Sequence, residues 1–307
     1  MPNTYDIIII GGGAAGFTAG LYAARDHCTA VVVERFSAGG QVLNCEHIEN
    51  YPGFPDGIAG YSLGPLLQQQ ATNMGVEMKL AEVQSLRLDG DTKVLQTDDG
   101  ELRAKAVIIA CGSSFTKLGI PGEEEFVGKG VSHCASCDGS FFMNEPVAVI
   151  GGGDAALDEG MHLTQYVSQV IVIHRRDQLR ACTMLQERAR ANEKMQFRWN
   201  TVVRAIEGSE GVQRLQLEDV KTGERSQLEV TGAFIFAGLT PNTEFLKSIL
   251  PLSESGHVVT DLRMRTAIPG IFAAGDVRAD SSRQLISAAG DGATAALAAI
   301  RYVRAGE

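Results

Sequence analysis

Short apolar runs that end in small residues recur along the chain, and the first of them predicts a complete supersecondary unit. Residues 5–10 form a β-branched run that is long enough for one buried parallel strand. Glycines and alanines follow at residues 11–16, and an alanine-rich, helix-forming stretch covers residues 17–25. A second apolar run, residues 29–33, ends at Glu34. The pattern predicts a strand, a glycine-rich turn, a helix and a second, parallel strand.

The same pattern returns 140 positions later in the chain. An apolar run at residues 146–150 leads into a glycine-rich turn at residues 151–156, and another apolar run follows at residues 169–173. Both turns fit the G-x-G-x-x-G/A motif, in which the first glycine allows a tight turn and the second lets a pyrophosphate approach the backbone. The alternative, two glycine-rich turns without a chemical role, does not explain why strand, turn and helix recur together.

Two more apolar runs complete the expected organisation. Residues 106–110 and 233–237 look like the last strands of the two nucleotide-binding units, and turn-forming residues follow each of them. We therefore predict an α/β fold with two Rossmann-like domains, the second inserted in a discontinuous first domain. The predicted first domain covers residues 1–115 and 245–307, and the predicted second domain covers residues 116–244.

The residue that follows the second strand of each unit indicates which nucleotide the unit prefers. Glu34 stands where a carboxylate accepts hydrogen bonds from a free ribose hydroxyl. In the second unit this position holds His174, followed by Arg175, Arg176 and Arg180. Guanidinium groups bind a 2′-phosphate that a carboxylate would repel. The first unit therefore predicts an adenosine with an unmodified ribose and the second predicts NADP(H), although a solvated basic patch is the alternative for the arginines.

Composition and charge exclude several classes of protein. The chain has 307 residues, with 27 Lys and Arg against 37 Asp and Glu, and its net charge is −10. This charge disfavours binding to nucleic acid or to an anionic membrane surface. No apolar run approaches the roughly 18 residues of a membrane span. Six cysteines are too few for a disulfide framework, and the N-terminus lacks the features of a secretory signal, so we expect a cytoplasmic protein.

The cysteine pair of a single C-x-x-C motif is the strongest candidate for chemistry. Cys134 and Cys137 lie just before the second glycine-rich turn, and Asp138 follows them. A zinc site could recruit His133, but the chain has no second C-x-x-C motif. Two structural cysteines are also possible, whereas a redox-active dithiol explains the spacing. Asp138 could transfer a proton to or from a sulfur, or it could simply cap a helix.

A flavin is needed to connect a hydride donor with a dithiol. NADPH gives up a hydride, whereas a disulfide accepts electrons through thiolate chemistry, and a flavin can exchange electrons with both. FAD fits the first unit because its adenosine ribose carries no phosphate and Glu34 suits such a ribose.

At this point the chain resembles a known family. The run of residues 134–138, the basic run of residues 174–176 and the glycine–aspartate pair that ends in Asp276 are similar to those of the low-molecular-weight, bacterial-type thioredoxin reductases. The resemblance extends over almost the whole chain, and the dithiol motif in the second unit is its specific part. It implies FAD and NADPH as cofactors, thioredoxin as the disulfide substrate, a homodimer, and alternation between two domain orientations.

The motifs and the resemblance together imply a set of site residues. Cys137 would face the flavin, Cys134 would attack thioredoxin, and Asp138 would act as the acid. No metal ligands are implied. The residues implied for FAD are Gly11, Gly13, Ala14, Ala15, Gly16, Glu34, Gly40, Gln41, Asn50, Val83, Ala110, Gly112, Asp276, Arg283 and Gln284. The residues implied for NADPH are Gly151, Gly153, Asp154, Ala155, His174, Arg175, Arg176, Arg180 and Gly238.

Some positions depart from the family pattern, and other functions stay open. Ala155 replaces a common hydroxyl-bearing residue, residues 158–159 replace a Glu-Glu pair, and Cys111 lies in an alanine-threonine-glycine type motif. The same electron relay could serve another acceptor, such as a peroxidase partner or a small-molecule disulfide. The flavoprotein of alkyl hydroperoxide reduction carries an extra N-terminal thiol domain, which we do not expect here. A function of another class would be a non-catalytic nucleotide-binding module whose cysteine pair binds zinc.

Overall fold

Contacts between residues divide the chain into two structural units. In the computed structural model, which describes residues 4–45 and 47–305, the first unit comprises Met1–Ser114 and Thr240–Glu307. The second unit comprises Phe115–Leu239. The chain thus leaves the first unit after residue 114 and returns at residue 240, whereas the sequence pattern placed the return near residue 245.

A seven-stranded sheet forms the centre of the first unit, and the long strand β6 pairs differently along its length. The first half of β6 (Gly100–Ile109) pairs with β5 (Thr92–Thr97) in the antiparallel direction. Residues 107–109 of β6 pair with β17 (Ile271–Ala273) in the parallel direction. The order is β3-β2-β1-β6-β5-β4, with β17 beside β6. The strands are β1 (Thr4–Ile10), β2 (Ala30–Glu34), β3 (Glu77–Leu80), β4 (Val83–Asp89), β5 (Thr92–Thr97), β6 (Gly100–Ile109) and β17 (Ile271–Ala273).

Small residues let the helices of the first unit pack closely. A Cβ atom at Gly292 would overlap the carbonyl oxygen of Ala15, so the two helices that contain these residues approach at the backbone. Alanines of both helices, including Ala19 and Ala296, are fully buried between them and the sheet. The helices of this unit are α1 (Ala14–Arg25), α2 (Gly60–Asn73) and α6 (Leu285–Ala305).

The second unit contains a five-stranded parallel sheet and a separate three-stranded antiparallel sheet. The parallel sheet has the order β11-β10-β9-β15-β8, and the antiparallel sheet has the order β12-β13-β14. The helices are α3 (Ala135–Asp138), α4 (Asp154–Leu163) and α5 (Thr183–Ala191). The strands are β8 (Val131–Ser132), β9 (Pro146–Gly151), β10 (Gln169–Ile173), β11 (Met195–Arg198), β12 (Thr201–Gly208), β13 (Val212–Asp219), β14 (Arg225–Glu229) and β15 (Gly232–Phe236).

Each unit has the predicted strand–turn–helix–strand order around its glycine-rich turn. Strand β1 is parallel to β2 and β9 is parallel to β10, so each turn lies at the carboxyl end of a pair of parallel strands. The predicted α/β fold with two Rossmann-like units is confirmed. Two short strands, β7 (Ser113–Phe115) and β16 (Leu239–Pro241), pair where the chain crosses between the units. Among the helices of residues 4–305 that are described, none has the length and apolar character that a membrane crossing requires.

A largely buried ion pair fixes one turn of the first unit. The Oδ2 atom of Asp291, on α6, accepts hydrogen bonds from Gly275 N at 3.1 Å and from Arg278 Nε at 2.9 Å. The side chains of Asp291 and Arg278 are only 13% and 14% exposed. Removing one partner would leave a buried, unpaired charge, which would strongly destabilise the fold. The pair therefore holds the turn after β17 against α6.

We expect the substitution Asp291→Ala to lower the free energy of unfolding by about 3 kcal/mol or more, because it leaves the buried Arg278 guanidinium unpaired. Chemical denaturation of the flavin-saturated protein measures this change. Glu244→Ala is the control, since it removes an ion pair with Lys247 whose side chains are 85% and 62% exposed. Such a pair contributes at most about 1 kcal/mol. Equal losses in the two variants would contradict the structural role of Asp291.

Candidate nucleotide sites and redox-active disulfide

In the first glycine-rich turn a Cβ atom would have space at one glycine and would overlap other atoms at two. Gly11 has a φ of +107°, and a Cβ atom there would overlap the backbone of Ala110. A Cβ atom at Gly16 would overlap the carbonyl oxygen of Gly11. At Gly13, by contrast, the nearest atom to a Cβ would be 4.0 Å away. The turn therefore combines tight packing with open space at the start of α1, which is what a pyrophosphate site requires.

Glu34 lies at the end of β2 and contacts the same turn. Its Oε2 atom accepts a hydrogen bond from Gly12 N at 2.7 Å, and its Oε1 atom accepts one from Phe36 N at 2.9 Å. Each carboxylate oxygen can accept more than one hydrogen bond, so these contacts orient the group without saturating it. Glu34 can therefore still accept hydrogen bonds from ribose hydroxyl groups beside the open turn.

Several other predicted FAD residues of the first unit are connected by hydrogen bonds. Gln41 donates from Nε2 to the carbonyl oxygen of Ser113 at 3.1 Å, and Ser113 donates from Oγ to the carbonyl oxygen of Asp276 at 3.0 Å. Asn50 donates from Nδ2 to Oε1 of Gln284 at 3.0 Å. The structure thus brings together residues that lie more than 150 positions apart in the sequence.

The remaining predicted FAD residues occupy turns and strand ends. Gly40 and Gly112 have left-handed backbones, with φ of +61° and +59°. A Cβ atom at Gly112 would have no other atom within 4 Å, so the surroundings of this residue are open. Ala110 is buried at the end of β6, and Val83 is partly buried at the start of β4. A final pair is buried in the first turn of α1, namely Ala14 and Ala15.

The surroundings of Asp276, another predicted FAD residue, change the pKa of its carboxyl group. Burial raises the pKa of this carboxyl group, while a hydrogen bond from Ser281 Oγ at 3.0 Å and the charge of Arg283 act in the opposite direction. The Asp291 ion pair holds the adjoining Gly275 in place. The sequence patterns did not single out Asp291, whose signal is an acidic residue within a helix that is otherwise rich in alanine and glycine.

These observations fit a bound FAD. The first unit offers an open backbone turn, a carboxylate with remaining acceptor capacity, and polar side chains that donate hydrogen bonds to one another or to neighbouring backbone. Glu34 is the acidic side chain that contacts this turn, through its hydrogen bond with Gly12 N. The arrangement therefore suits a dinucleotide with an unphosphorylated ribose.

The second glycine-rich turn has the same division between packed and open positions. A Cβ atom at Gly151 would lie 2.6 Å from the carbonyl oxygen of Phe236, whereas a Cβ atom at Gly153 would have no atom within 4 Å. Asp154 begins α4, and its Oδ1 atom accepts a hydrogen bond from Cys182 N at 2.7 Å. Two further predicted residues flank this turn: Ala155, which is exposed in the same helical turn, and Gly238, which follows β15 with a φ of +131°.

His174 and the arginines that follow it have different surroundings. The His174 ring is buried beneath Gly152, and its Nε2 atom lies 3.0 Å from the carbonyl oxygen of Gln178. Burial lowers the pKa of this imidazole, which favours its neutral form at neutral pH. The arginines of this segment are exposed, namely Arg175, Arg176 and Arg180. The arginines, rather than His174, therefore supply the accessible positive charge next to this turn.

Arg180 is attached directly to the second glycine-rich turn. Its backbone N donates a hydrogen bond to the carbonyl oxygen of Gly152 at 2.7 Å. Because the segment that carries the arginines is fixed to the turn in this way, its side chains start close to the ribose end of a nucleotide bound there.

Cys134 and Cys137 form a disulfide at a short helix. Cys134 is the N-cap residue of α3, and the Cα atoms of the two cysteines are 5.4 Å apart. Cys134 N donates a hydrogen bond to Ser132 Oγ at 3.0 Å, and Cys137 N donates one to Cys134 Sγ at 3.2 Å. Cys137 is exposed and Cys134 is half-buried. Both sulfurs are thus part of one local turn.

The other four cysteines are free thiols. Burial raises the pKa of Cys111 to about 12 and also raises the pKa of Cys28, so neither forms a thiolate readily at neutral pH. Cys45 is half-buried, and Cys182 is exposed. The disulfide is therefore the one cysteine pair, within residues 4–45 and 47–305, that is placed for thiol exchange.

Two of the alternative interpretations of this segment, a helix cap at Asp138 and a zinc site, gain no support from the described residues. Asp138 is the N-cap residue of the 3₁₀ turn Gly139–Phe142, but its side chain makes no capping hydrogen bond. His133 stacks on Phe115 with ring centroids 5.5 Å apart, and its Nδ1 atom lies 2.9 Å from the carbonyl oxygen of Ile235. In the described part of the chain no group of three or more His, Cys, Asp or Glu side chains is arranged to bind a metal ion.

Comparisons with known proteins agree with this site. The model of the pyridine nucleotide-disulphide oxidoreductase family matches residues 5–293. The thioredoxin reductase of Bacillus subtilis (strain 168) is 43% identical over 301 residues, which cover 97% of this chain and 95% of that protein. The crystal structure of Lactococcus lactis thioredoxin reductase matches with a TM-score of 0.96 and 44% identity, over 98% of this chain and 99% of that chain.

A more distant solved structure agrees as well. The thioredoxin reductase of T. acidophilum matches with a TM-score of 0.93 and 35% identity, over 97% of this chain and 98% of that chain. With two glycine-rich turns, a disulfide in the second unit and this degree of similarity, the chain belongs to the pyridine nucleotide-disulphide oxidoreductases and, among them, to the family of the bacterial-type thioredoxin reductases.

Proposed function

We propose that this chain reduces the disulfide of oxidised thioredoxin with electrons from NADPH, which reach the Cys134–Cys137 pair through FAD. The disulfide in the second unit is the observation that carries the proposal, because it places a reversible two-electron acceptor in the same unit as a nucleotide-binding turn. Membership in a family of disulfide oxidoreductases supports the same activity.

The first unit would hold FAD. The open backbone at Gly13 receives the pyrophosphate, and Glu34 accepts hydrogen bonds from the adenosine ribose. Asp276, which Ser113 links to Gln41, would contact another part of the cofactor. When bound, FAD supplies the chemistry that protein side chains lack, since it can take up a hydride and exchange electrons with a dithiol. The chain's own contribution at this site is to bind and orient the cofactor.

The second unit would hold NADPH. The backbone turn around Gly153 receives the pyrophosphate, and the exposed guanidinium groups of Arg175, Arg176 and Arg180 bind the 2′-phosphate. The buried ring of His174 packs against Gly152 of the same turn. This arrangement favours NADPH over NADH through charge, because NADH lacks the phosphate that the arginines bind.

The reduced cysteine pair would transfer two electrons to its partner. The Cys134 thiolate attacks one sulfur of the partner disulfide, so that a mixed S–S bond forms, the partner's own S–S bond breaks, and the departing sulfur takes up a proton. The Cys137 thiolate then attacks Cys134, which restores the Cys134–Cys137 bond and releases the second partner thiol. Asp138, the next residue in the chain, is placed to hold or transfer the proton.

The partner, the assembly and the location are parts of the same proposal. Thioredoxin is the disulfide substrate that the names of the related proteins favour, with a peroxidase partner or a small-molecule disulfide as alternatives. A homodimer follows from the resemblance to the family. Four free cysteines suit the reducing cytoplasm, and the net charge of −10 disfavours nucleic acid and anionic membranes as partners.

The decisive experiment follows the colour of the protein. The purified chain, loaded with FAD, should be yellow, should bleach when NADPH is added without oxygen, and should recover its colour with oxidised thioredoxin. Recovery with a small-molecule disulfide but not with thioredoxin would identify the alternative acceptor. A colourless protein that cannot be reconstituted with flavin and retains zinc would overturn the proposal in favour of a nucleotide-binding module.

The variant Cys134→Ser should bleach with NADPH as the unchanged protein does, yet lose at least about 99% of thioredoxin turnover, because the sulfur that attacks the substrate is missing. Anaerobic absorbance and a thioredoxin-reduction assay measure the two steps separately. Cys182→Ser is the control, since this thiol is exposed to solvent and lies outside the disulfide. Retained turnover in Cys134→Ser would mean that another group exchanges with the substrate.

The double variant Arg175→Ala and Arg176→Ala should raise the KM for NADPH about tenfold or more, the equivalent of ~1.4 kcal/mol, and change the KM for NADH much less. Steady-state kinetics with both nucleotides measure the difference. Arg225→Ala removes an arginine that is 82% exposed in the same unit and serves as the control for general charge effects. Equal losses for NADPH and NADH would refute the assignment of the 2′-phosphate site.

A further inference from the structure

A carboxylate from helix α4 contacts the backbone next to the reactive cysteine. The Oε2 atom of Glu159 accepts a hydrogen bond from Ala135 N at 2.8 Å. Ala135 follows Cys134 directly and is fully buried, while Glu159 is half-buried. The dithiol segment is therefore attached to α4 at the residue adjacent to the sulfur that exchanges with the substrate.

This contact has a geometric consequence. The first N–H groups of a helix have no partner within the helix, and α3 is only four residues long. Glu159 satisfies the N–H group of the first residue of α3, and Ser132 satisfies the N–H group of Cys134. These two bonds fix the backbone on both sides of the Cys134 Cα atom, and with it the direction of its side chain.

The contact also has an electrostatic consequence. A carboxylate in a half-buried position binds the N–H group that follows Cys134, and a nearby negative charge disfavours the formation of another one. The dithiol segment itself carries the ionisable residues His133 and Asp138, and α4 contributes Glu159 through this hydrogen bond. Of these, Glu159 is the one that accepts a hydrogen bond from the residue directly after Cys134.

We infer that Glu159 is a positioning residue of the dithiol, which holds the turn for exchange and at the same time restrains the Cys134 thiol from ionising. The two effects oppose each other in the rate of disulfide exchange, because correct orientation accelerates the attack whereas a smaller thiolate fraction slows it. A lower thiolate fraction also stabilises the disulfide relative to the reduced pair, which favours delivery of electrons onward to the substrate. This inference rests on the proposed dithiol exchange.

Two substitutions of Glu159 separate the effect of its hydrogen bond on the orientation of the dithiol from the effect of its negative charge. Glu159→Gln retains an oxygen that can accept from Ala135 N but removes the negative charge, and Glu159→Ala removes both. In a Cys137→Ser background, the flavin-loaded protein presents Cys134 as the single cysteine of its tryptic peptide, which mass spectrometry can follow during alkylation. In the two-cysteine protein, thioredoxin turnover reports whether orientation is retained.

We expect both variants to alkylate Cys134 about three- to tenfold faster at pH 7 than the protein with Glu159, with the pH midpoint of the reaction moved to lower pH, because the thiolate is the reactive form. Turnover should be retained in Glu159→Gln and reduced at least about threefold in Glu159→Ala, since only the amide can still hold Ala135 N. Rescue by the conservative variant distinguishes positioning from general loss of structure.

The neighbouring carboxylate provides the matched control. Asp158→Asn removes the same charge one residue away at an exposed position, and it should change the alkylation profile of Cys134 less than Glu159→Gln does. An unchanged or slower alkylation in Glu159→Gln would overturn the inference, as would an equal effect of Asp158→Asn. Alkylation requires neither NADPH nor thioredoxin, so a failure of the proposed function would appear separately, in the turnover of the unchanged protein.

Discussion

Both nucleotide sites depend on glycines that leave the backbone accessible directly after a parallel strand. At Gly13 and Gly153 the space beside the backbone is open, as the proposed pyrophosphate sites require, whereas a side chain at Gly11 or Gly151 would overlap neighbouring backbone. Because each turn leads directly into a helix, its free N–H groups point into the same open space. The packing of α1 and α4 on their sheets, through small residues, is what keeps those groups in place.

The parts of the fold that follow from local sequence could be predicted. They include the two glycine-rich turns and the residue after the second strand of each unit. Apolar runs of strand length, glycine-rich turns and an acidic or basic residue after the second strand all lie within about thirty residues of one another, so their chemistry is visible without a structure. The C-x-x-C pair is local in the same sense, since Cys134 and Cys137 close a disulfide across one helical turn. The two-unit α/β architecture follows from the recurrence of this pattern.

The features that the sequence did not predict depend on contacts between residues that are far apart in the chain. Strand β6 exchanges its antiparallel partner for a parallel one partway along its length, and no local pattern encodes that change. His174 looked like a member of the basic patch, but its ring is buried under Gly152, while the arginines after it remain exposed. Asp291 was not singled out, and Glu159 was noted only as a departure from the family pattern. Their backbone partners, Gly275 N and Ala135 N, become neighbours only after the helices have packed.

The second unit concentrates its chemistry along a single helix. The first turn of α4 forms the open end of the second glycine-rich motif, and Glu159, in the middle of the same helix, holds the segment that carries the disulfide. A change in the position of α4 would therefore alter the nucleotide turn and the dithiol together. Meanwhile burial raises the pKa of Cys111 and of Cys28, which disfavours their thiolate forms. The environment of these two thiols thus adds to the geometry of the cysteine pair in favouring disulfide exchange at Cys134 and Cys137.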